Sequence, residues 1–502
     1  MTLLKKNIIA NYFGQGWTAL MGLLFVPLYI KYLGMESYGL IGIFAMLQAW
    51  LTLLDMGMTP TLSREMARFK GGGHDSQSIR DLLRSIEVIA FTIAGVTALS
   101  IWAASGWLAS GWLRAEKLPV ETVAQAFAVM GIVTALRFVE GIYRSSIVGL
   151  QRQVMLNAVM SFMATVRGLG AVGILVWVSP TIKAFFIWQG LISIATVAIF
   201  MAAVYRALPK SPLQARFSKS ALLNIWRFAA GMVAITFLSL LLTQVDKVIL
   251  SKLLSLEAFG CYCLANTVVS ILTYIVSPID QAFFPRLTDL ITTGNEKGLI
   301  GVYHCGAQMV SVLVGSAAMI LIVFGEQVVA LWTGNPKLAL DIAPLVALLA
   351  LGTMINCLLH FPYNLQVAYG WLSLGIKNNI AAMIILVPAI FWATSRYGAI
   401  GAAGAWVALN IGYLIVPVHI MHRRLLCGEK WRWYLWDLIL PLACGAGTVT
   451  AFRFMTPAAL SKPLEFVWLA AASLTTAAVS TLATTDLRKL ILDVLKRRLI
   501  HV

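Results

Sequence analysis

The sequence predicts an all-α polytopic membrane protein with about 14 transmembrane helices, arranged as two parallel-related six-helix lobes and two C-terminal helices. Three observations predict it. Of the 502 residues, 60% are hydrophobic and 12% are charged, and that charged fraction is roughly half the usual value for soluble domains. Long apolar stretches recur along the chain, and one short motif occurs twice.

Apolar stretches without Asp, Glu, Lys or Arg define the transmembrane helices, because a helix needs about 20 apolar residues to cross a bilayer. The stretch 7–30 is longer than the apolar core of a signal peptide, and no small-residue cleavage site follows it. We therefore expect it to form the first span. The predicted spans are 8–30, 39–59, 86–113, 122–143, 154–179, 183–205, 222–245, 258–283, 303–328, 340–366, 378–395, 398–421, 434–455 and 464–485.

A repeated motif divides these spans into two related sets. The segment Lys31–Gly39 returns as Lys252–Gly260, with Lys, Leu, Glu, an aromatic residue and Gly at matching positions. An acidic residue follows each copy, Asp55 in the first and Asp280 in the second, five residues before a proline. The two spacings differ by about one helical turn, so each Asp keeps a similar face of its helix.

The repeat predicts the domain organisation. Six spans precede the basic, proline-containing linker, and six is an even number, so the two lobes enter the membrane in the same direction. Parallel repeats of this kind are typical of transporters, with a path where the lobes meet. We expect an N-lobe at 1–206, a cytoplasmic linker at 207–221, a C-lobe at 222–425, and spans 13 and 14 with a basic tail at 426–502.

The formal net charge of +17 is concentrated in loops on one predicted side of the membrane. Arg64, Arg68 and Lys70 lie in the first inner loop, and further clusters occur at 206–219 and 488–498. The positive-inside rule then places both termini in the cytoplasm. Because anionic membrane lipids attract the same charges, no nucleic-acid partner is needed to explain them.

No metal site, cofactor or catalytic residue is predicted. The glycines at 71–73 lack the Lys-Ser/Thr ending of a phosphate-binding loop, and the two cysteines of Cys261-x-Cys263 diverge on a helix. His304 and His360 are lone histidines in the sequence, for which we expect structural roles. We expect the chain not to be an enzyme.

Several segments, taken in order, resemble the polysaccharide transporter family, which comprises the O-antigen and related lipid-linked oligosaccharide flippases of the multidrug/oligosaccharidyl-lipid/polysaccharide exporter superfamily. The resemblance covers nearly the whole chain. The segments that carry it are LFVPLYIKYLGMESYGLIGIF (24–44), LLDMGMTPTLSRE (53–65), YRSSIVGLQR (143–152), TQVDKVILSKLL (243–254), FFPRLTDL (283–290) and YGAIGAAGAW (397–406).

The resemblance implies a flippase of the bacterial inner membrane. Its cargo would be an undecaprenyl-pyrophosphate-linked sugar repeat unit, moved from the inner to the outer leaflet by alternating access. We expect it to act as a monomer, with polysaccharide polymerase machinery as a candidate partner. The arginine-rich first span of lipid II flippases is absent; Asn11 and Gln15 stand in span one instead, which argues against lipid II as cargo.

Intramembrane cations are the candidate cargo-binding residues, because a sugar pyrophosphate needs charged donors inside hydrocarbon. Arg137 and Arg144 share one helix face, Arg167 stands in the middle of span five, and Arg227 lies at the start of span seven. Asn11 and Gln15 would bind the same cargo. The alternatives are an Arg137–Glu140 pair that neutralises itself, and headgroup anchoring by Arg144 and Arg227.

Four acids are candidates for gating or ion coupling: Asp55, Asp280, Asp246 and Glu140. The alternative for Asp55 and Asp280 is a local helix cap, or a surface pair with Arg64 or Arg286. Two other functions remain open. A drug/cation antiporter of the same superfamily would prefer acids in its cavity, and a membrane glycan polymerase or ligase would need acids or bases on a large outer loop.

Overall fold

Helices make up nearly all of the computed structural model, which describes residues 3–73, 75–209, 215–218, 226–457 and 460–490. Within these residues no β-strand forms, and the only strand-like pairing is an isolated parallel bridge between Arg114 and Ser255. The first eight helices are α1 (Leu3–Leu24), α2 (Val26–Leu33), α3 (Met35–Leu54), α4 (Met58–Lys70), α5 (Ser76–Trp107, then a π-helical turn, Leu108–Trp112), α6 (Val120–Gly149), α7 (Gln153–Trp177) and α8 (Ile182–Ala207).

The second half of the chain begins in the described residues with a 28-residue helix. Its helices are α9 (Trp226–Leu253), α10 (Leu256–Thr292), α11 (Glu296–Thr333), α12 (Pro336–Leu358), α13 (His360–Ala368), α14 (Leu372–Arg424), α15 (Lys430–Phe454, with a π-helical turn at Trp433–Ile439) and α16 (Lys462–Leu482). The backbone of α14 breaks at Gly398, where φ is 59°.

The predicted fold class is confirmed. Twelve helical segments of the described chain are long and apolar enough to cross a membrane. One of them, α14, contains two predicted spans that meet at its break, and α9 occupies the predicted seventh span. The described residues therefore provide the expected 14 spans.

Contacts between residues divide the chain into two compact units, Met1–Gly260 and Cys261–Val502. The first unit contains α1 to α9 and the first residues of α10. The predicted linker at 207–221 lies largely outside the described residues, so the lobe boundaries there stay a prediction.

The predicted first inner loop contains a short helix, α4, on which Arg64, Arg68 and Lys70 lie. Gly57 has φ 72°, which ends the preceding helix and starts the 13-residue α4. Leu62 and Met66 on α4 are fully buried against α5, α6 and α8. A helix this short and this amphipathic gives no membrane-span signal, and burial of its apolar face stabilises it.

Candidate functional site

An arginine held by two glutamines lies inside the first unit. Arg137 on α6 donates from Nη1 to Gln48 Oε1 at 2.8 Å and from Nη2 to Gln189 Oε1 at 3.2 Å. Its guanidinium carbon lies 5.0 Å from the centre of the Phe44 ring. The two glutamines belong to α3 and α8, so three helices fix the position of this cation in the predicted membrane interior.

The Arg137–Glu140 pair considered from the sequence does not form an ion pair in the structure. Arg137 Nε and Glu140 Oε2 are both buried without a hydrogen-bond partner in the described part of the chain. Arg137 instead reaches across to Gln48 on α3 and Gln189 on α8. Glu140 remains close enough to attract it electrostatically.

Arg167 on α7 adds a second cation to the same region. Its charge repels that of Arg137 and is attracted by Glu140. Its backbone carbonyl accepts a hydrogen bond from Trp188 Nε1 at 3.2 Å. Within the described residues its guanidinium has no hydrogen-bond partner. Two guanidiniums and one carboxylate leave excess positive charge at a half-buried location, which an anion would offset.

The other cationic candidates are not part of this cluster. Arg144 lies near the end of α6 and is exposed. Arg227 lies in the first turn of α9, and its side chain is outside the described residues. Among the side chains that the structure describes, these candidates reduce to Arg137 and Arg167, which lie close enough to repel each other.

Asn11 belongs to a polar seam between α1 and α7. It donates to Gln153 Oε1 at 2.7 Å, and it accepts from Asn157 Nδ2 at 2.5 Å. Trp17 Nε1 continues the seam with a bond of 2.9 Å to Thr165. The Asn11 amide thus joins two helices, whereas Gln15, one turn further on, is exposed.

The repeated motif forms a crossing of two equivalent helix starts, which we call the glycine crossing (Met35, Gly39, Leu256 and Gly260). A Cβ atom on Gly39 would lie 2.4 Å from the Leu256 carbonyl oxygen. A Cβ atom on Gly260 would lie 2.6 Å from the Met35 carbonyl oxygen. The repeat pairs Met35 with Leu256 and Gly39 with Gly260, so the two contacts are equivalent by pseudo-symmetry. Only glycine permits this approach of α3 to α10.

The loop between α5 and α6 forms hydrogen bonds with both copies of the repeated motif. The buried carboxylate of Glu36 accepts from the backbone N–H groups of Glu116 and Lys117, at 2.5 and 2.9 Å. The Lys117 ammonium bonds Glu257, the equivalent glutamate of the second copy. That hydrogen bond raises the pKa of Lys117. Leu256 N–H also donates to the Arg114 carbonyl at 2.9 Å, so one loop fastens both helix starts.

Asp55 acts as a local cap. Its carboxylate accepts from the Thr59 backbone N–H at 3.1 Å and also bonds the Thr59 hydroxyl, at the start of α4. Burial raises the pKa of Asp55, and the bonds from Thr59 oppose that rise. Arg64 pairs with Glu65 instead, at 3.1 Å. Asp246, on α9, has a side chain of intermediate burial.

Asp280, the equivalent acid of the second copy, has different partners. Its carboxylate accepts from His360 Nδ1 at 2.5 Å and from Asn364 Nδ2 at 2.8 Å. The pair lines a cavity of about 430 Å³ within the second unit. Arg286 pairs with Asp289, so the surface pair considered for Asp280 does not form. His360 is not lone, because its partner lies 80 residues away in sequence.

His304 is also not lone. Its Nδ1 bonds Asp437, and its Nε2 lies 3.0 Å from Glu429 Oε2. Both His304 and Asp437 are fully buried. Gln308 Nε2 donates to Asp437 at 2.8 Å, and Arg432 bonds Asp486 at 3.0 Å. This network joins α11 to the two C-terminal helices, which agrees with the structural role expected for His304.

Sequence reasoning missed the residues that complete these sites. Gln48 and Gln189 are polar residues inside apolar spans, and Asn378 and Asn379 open the eleventh span. A polar residue inside a span usually has a functional or pairing role. The sequence thus marked each of these four residues as unusual, but it did not show which residues they contact.

Comparison with known proteins identifies the family. The family described as polysaccharide biosynthesis protein matches residues 4–291, more than half of the chain. The chain belongs to this family. The resemblance to polysaccharide transporters seen in the sequence is thereby confirmed.

Relatives in the family are distant in sequence. A Shigella flexneri protein named as an O-antigen transporter is 21% identical over 408 residues, which cover 80% of this chain and 93% of the relative. The lipopolysaccharide biosynthesis protein WzxC of Escherichia coli K12 is 24% identical over 235 residues, 45% of each chain. The chain is thus similar to both, and over nearly the full length of the first.

Solved structures share the fold. The lipid II flippase MurJ in an inward closed conformation matches with a TM-score of 0.69 and 11% identity, over 97% of this chain and 99% of that one. An inward-facing multidrug resistance MATE family transporter of the MOP superfamily matches with a TM-score of 0.66 and 14% identity, over 82% and 96%. At these identities the likeness concerns the fold alone, which is that of a multi-pass membrane protein.

Proposed function

We propose that this protein is a flippase for a lipid-linked oligosaccharide. Its cargo is an undecaprenyl-pyrophosphate-linked repeat unit of O-antigen or a similar polysaccharide, carried from the inner to the outer leaflet of the bacterial plasma membrane. Support comes from the polysaccharide biosynthesis family, from the Shigella flexneri relative named for O-antigen transport, and from the fold shared with a lipid flippase. The chain makes and breaks no covalent bond in this process.

The excess positive charge at Arg137 and Arg167 is the observation that carries the proposal. An unpaired cation inside a membrane costs several kcal/mol or more, so a counter-charge is required when no water reaches it. Pyrophosphate is a suitable partner because its oxygens accept paired hydrogen bonds from a guanidinium fork. Arg167 has that fork unoccupied within the described chain.

The glycine crossing supports alternating access. Two equivalent helix starts that touch backbone to backbone form a thin seal, and opening it requires only that α3 and the start of α10 separate. With both termini in the cytoplasm, as the positive-inside rule predicts, the crossing lies at the outer end of the pathway.

The acids provide candidates for gating and energy coupling. Asp280 shares a hydrogen bond with His360, and we take this carboxylate and its imidazole partner as the first candidate for ion coupling. Asp246 and Glu140 are further coupling candidates, and Asp55 is a candidate for gating through its cap on α4. The protein acts as a monomer among membrane lipids, with polysaccharide polymerase machinery as its partner.

The shared fold of multidrug transporters makes a drug/cation antiporter the second candidate. Such a protein would place acids in its cavity to meet cationic drugs. The intramembrane cluster described above has more guanidiniums than carboxylates, which favours an anionic cargo.

Complementation in cells tests the proposal. Bacteria that lack their own O-antigen flippase are given this gene together with the enzymes of a defined repeat unit, and surface polysaccharide is measured. We expect surface polysaccharide to return for at least one repeat unit in a panel. Absence of polysaccharide for every unit, with the protein present in the membrane and resistance to cationic drugs increased, would favour the antiporter.

A further inference from the structure

The cavity around Asp280 in the second unit has a chemical character that the arginine cluster lacks. It has a volume of about 430 Å³, within the range of small-molecule sites. Four helices surround it: α10 contributes Asp280, the α12–α13 region contributes Asn356 and His360, and the two parts of α14 contribute Asn378 and Tyr413.

The described lining is rich in carboxamides and hydroxyls. It includes Asn356, Asn364, Asn378 and Asn379, together with Gln366 and two tyrosines, and no Lys or Arg is among the described lining residues. A carboxamide donates and accepts hydrogen bonds at once, as does each hydroxyl of a sugar. The lining therefore matches an uncharged, hydroxyl-rich group.

Other ligand classes fit less well. A hard cation prefers several carboxylate oxygens, whereas Asp280 is the single acid of the described lining, and no group of three His, Cys, Asp or Glu in the described chain is arranged for a metal. A pyrophosphate would require cations. An apolar drug would offer no acceptor to the amide donors of Asn378 and Asn379, and unpaired donors are costly in a membrane.

Part of the hydrogen-bonding capacity of the lining is unused. Asn379 Oδ1 accepts from the Tyr413 hydroxyl at 3.1 Å, and its Nδ2 has no acceptor within the described residues. In the same part of the chain, the side chains of Asn378 and Tyr363 make no hydrogen bond, and Tyr363 is 52% exposed. Amide donors beside an exposed aromatic ring suit a pyranose, which has polar edges and one apolar face.

The remaining lining residues are fixed in place. Asp280 is held by His360 and Asn364, and Asn356 donates to Asn410 Oδ1 at 2.8 Å. His360 Nδ1 bonds the Asp280 carboxylate, which leaves Nε2 of the same ring as a polar atom available to a sugar hydroxyl. Asp280 and His360 are thus held in place by their own hydrogen bonds, whereas the amide donors of Asn378 and Asn379 keep unused hydrogen-bonding capacity.

From these contacts we infer that the cavity lined by Asp280, His360, Asn378 and Asn379 binds a neutral sugar ring of the cargo during its passage. This inference rests on the proposed function and deepens it, since the arginines meet the pyrophosphate and the cavity meets the glycan. Specificity for the repeat unit then resides in the second unit.

Binding to lipids with and without sugar tests the inference. The full-length protein in nanodiscs is titrated with undecaprenyl pyrophosphate and with the same lipid bearing one N-acetylglucosamine or one galactose. We expect the wild type to bind at least one sugar-bearing lipid about tenfold more tightly than the bare lipid, equivalent to one or two neutral hydrogen bonds. Asn378→Leu and Asn379→Leu should remove this preference and leave affinity for the bare lipid unchanged.

Two controls separate the outcomes. Asn266→Leu changes an asparagine of α10 that does not line the cavity, and this variant should still bind the sugar-bearing lipid more tightly than the bare lipid. Asn378→Ala and Asn379→Ala repeat the test with a smaller side chain. Equal affinity for bare and sugar-bearing lipids, or a preference that survives in folded Asn378 and Asn379 variants, would overturn this inference and leave the proposed function standing. Failure of the wild type to bind any of the three lipids would overturn the proposed function with it.

Discussion

At the scale of single residues, the two buried guanidiniums differ in what holds them. Arg137 is held by Gln48 and Gln189, so its charge is positioned before any cargo arrives. Arg167 has only its backbone engaged, by Trp188. In the proposed function, Arg137 is the cation already in position and Arg167 is the side chain that closes on the anion.

Arg167 is therefore the residue whose loss should reduce transport most selectively. Replacement by Gln keeps a polar side chain but removes a charged hydrogen bond, worth about 1.5–3 kcal/mol. We expect the initial rate of cargo transport in proteoliposomes to fall by roughly tenfold to a hundredfold. Arg144→Gln is the matched control, because Arg144 is an exposed arginine of the neighbouring helix, and its rate should stay within about twofold of wild type.

Equal rates for the two variants, at equal amounts of folded protein, would remove Arg167 from the site. A partial recovery of rate in Arg167→Lys is also expected, because Lys keeps the charge and loses the fork.

The sequence allowed the two arginines to be predicted, but not their partners. Arg137 and Arg167 stand out as charges inside apolar spans, whereas Gln48 and Gln189 lie 89 and 52 positions from Arg137. The same holds for His360, which has no acid near it in sequence and pairs with Asp280 across 80 positions. Pairing between helices depends on packing, which the spacing of residues along one helix does not reveal.

At the scale of helices, the glycine crossing gives the repeat a physical reason. Both copies contain Glu and Gly. In each copy the Glu side chain binds the loop at 111–117, and the Gly allows the two backbones to touch. The repeat itself could be read from the sequence. The crossing could not, because it requires knowing that the two helix starts meet each other rather than other spans.

Gly39→Ala should weaken the crossing. Alanine in a helix normally stabilises by about 0.5–1 kcal/mol relative to glycine, but the added Cβ would lie 2.4 Å from the Leu256 carbonyl. Overpacking of this kind costs about 1–3 kcal/mol. We expect the thermal unfolding midpoint in detergent to fall and the transport rate to drop, because the closed crossing is harder to reach.

Gly141→Ala on α6 is the comparison, since nothing lies within 4 Å of its added Cβ. Its unfolding midpoint should equal or slightly exceed that of wild type. If Gly39→Ala and Gly141→Ala had the same midpoint and the same transport rate, the close contact at Gly39 would have no role in the closed state.

At the scale of the whole molecule, the chain combines a charged site in its first unit with a polar cavity that has no Lys or Arg among its described lining residues in its second.

The buried network of His304, Asp437 and Glu429 ties the C-terminal helices to α11 in that second unit. Both ring nitrogens of His304 face carboxylate oxygens, one of Asp437 and one of Glu429. Removing one member of such a network usually lowers the stability of the fold by several kcal/mol. We therefore expect these contacts to persist throughout the transport cycle.

Composition and hydrophobic pattern were sufficient to predict the number of spans and the fold class, because every span must be apolar over about 20 residues. They were not sufficient for α4, whose 13 residues are stabilised by burial of Leu62 and Met66 and not by a membrane. They also gave no signal for the amide-lined cavity, which forms only when residues of four helices come together.

Transport of an undecaprenyl-pyrophosphate-linked oligosaccharide across proteoliposomes containing only this protein tests the central claim most directly. The oligosaccharide carries a fluorophore, and its arrival in the opposite leaflet is measured with a membrane-impermeant quencher. We expect rapid quenching with wild-type protein and slow quenching, at the rate of empty vesicles, with the folded double variant Arg137→Gln/Arg167→Gln. Wild-type vesicles no faster than empty ones, or a double variant as fast as wild type, would contradict it.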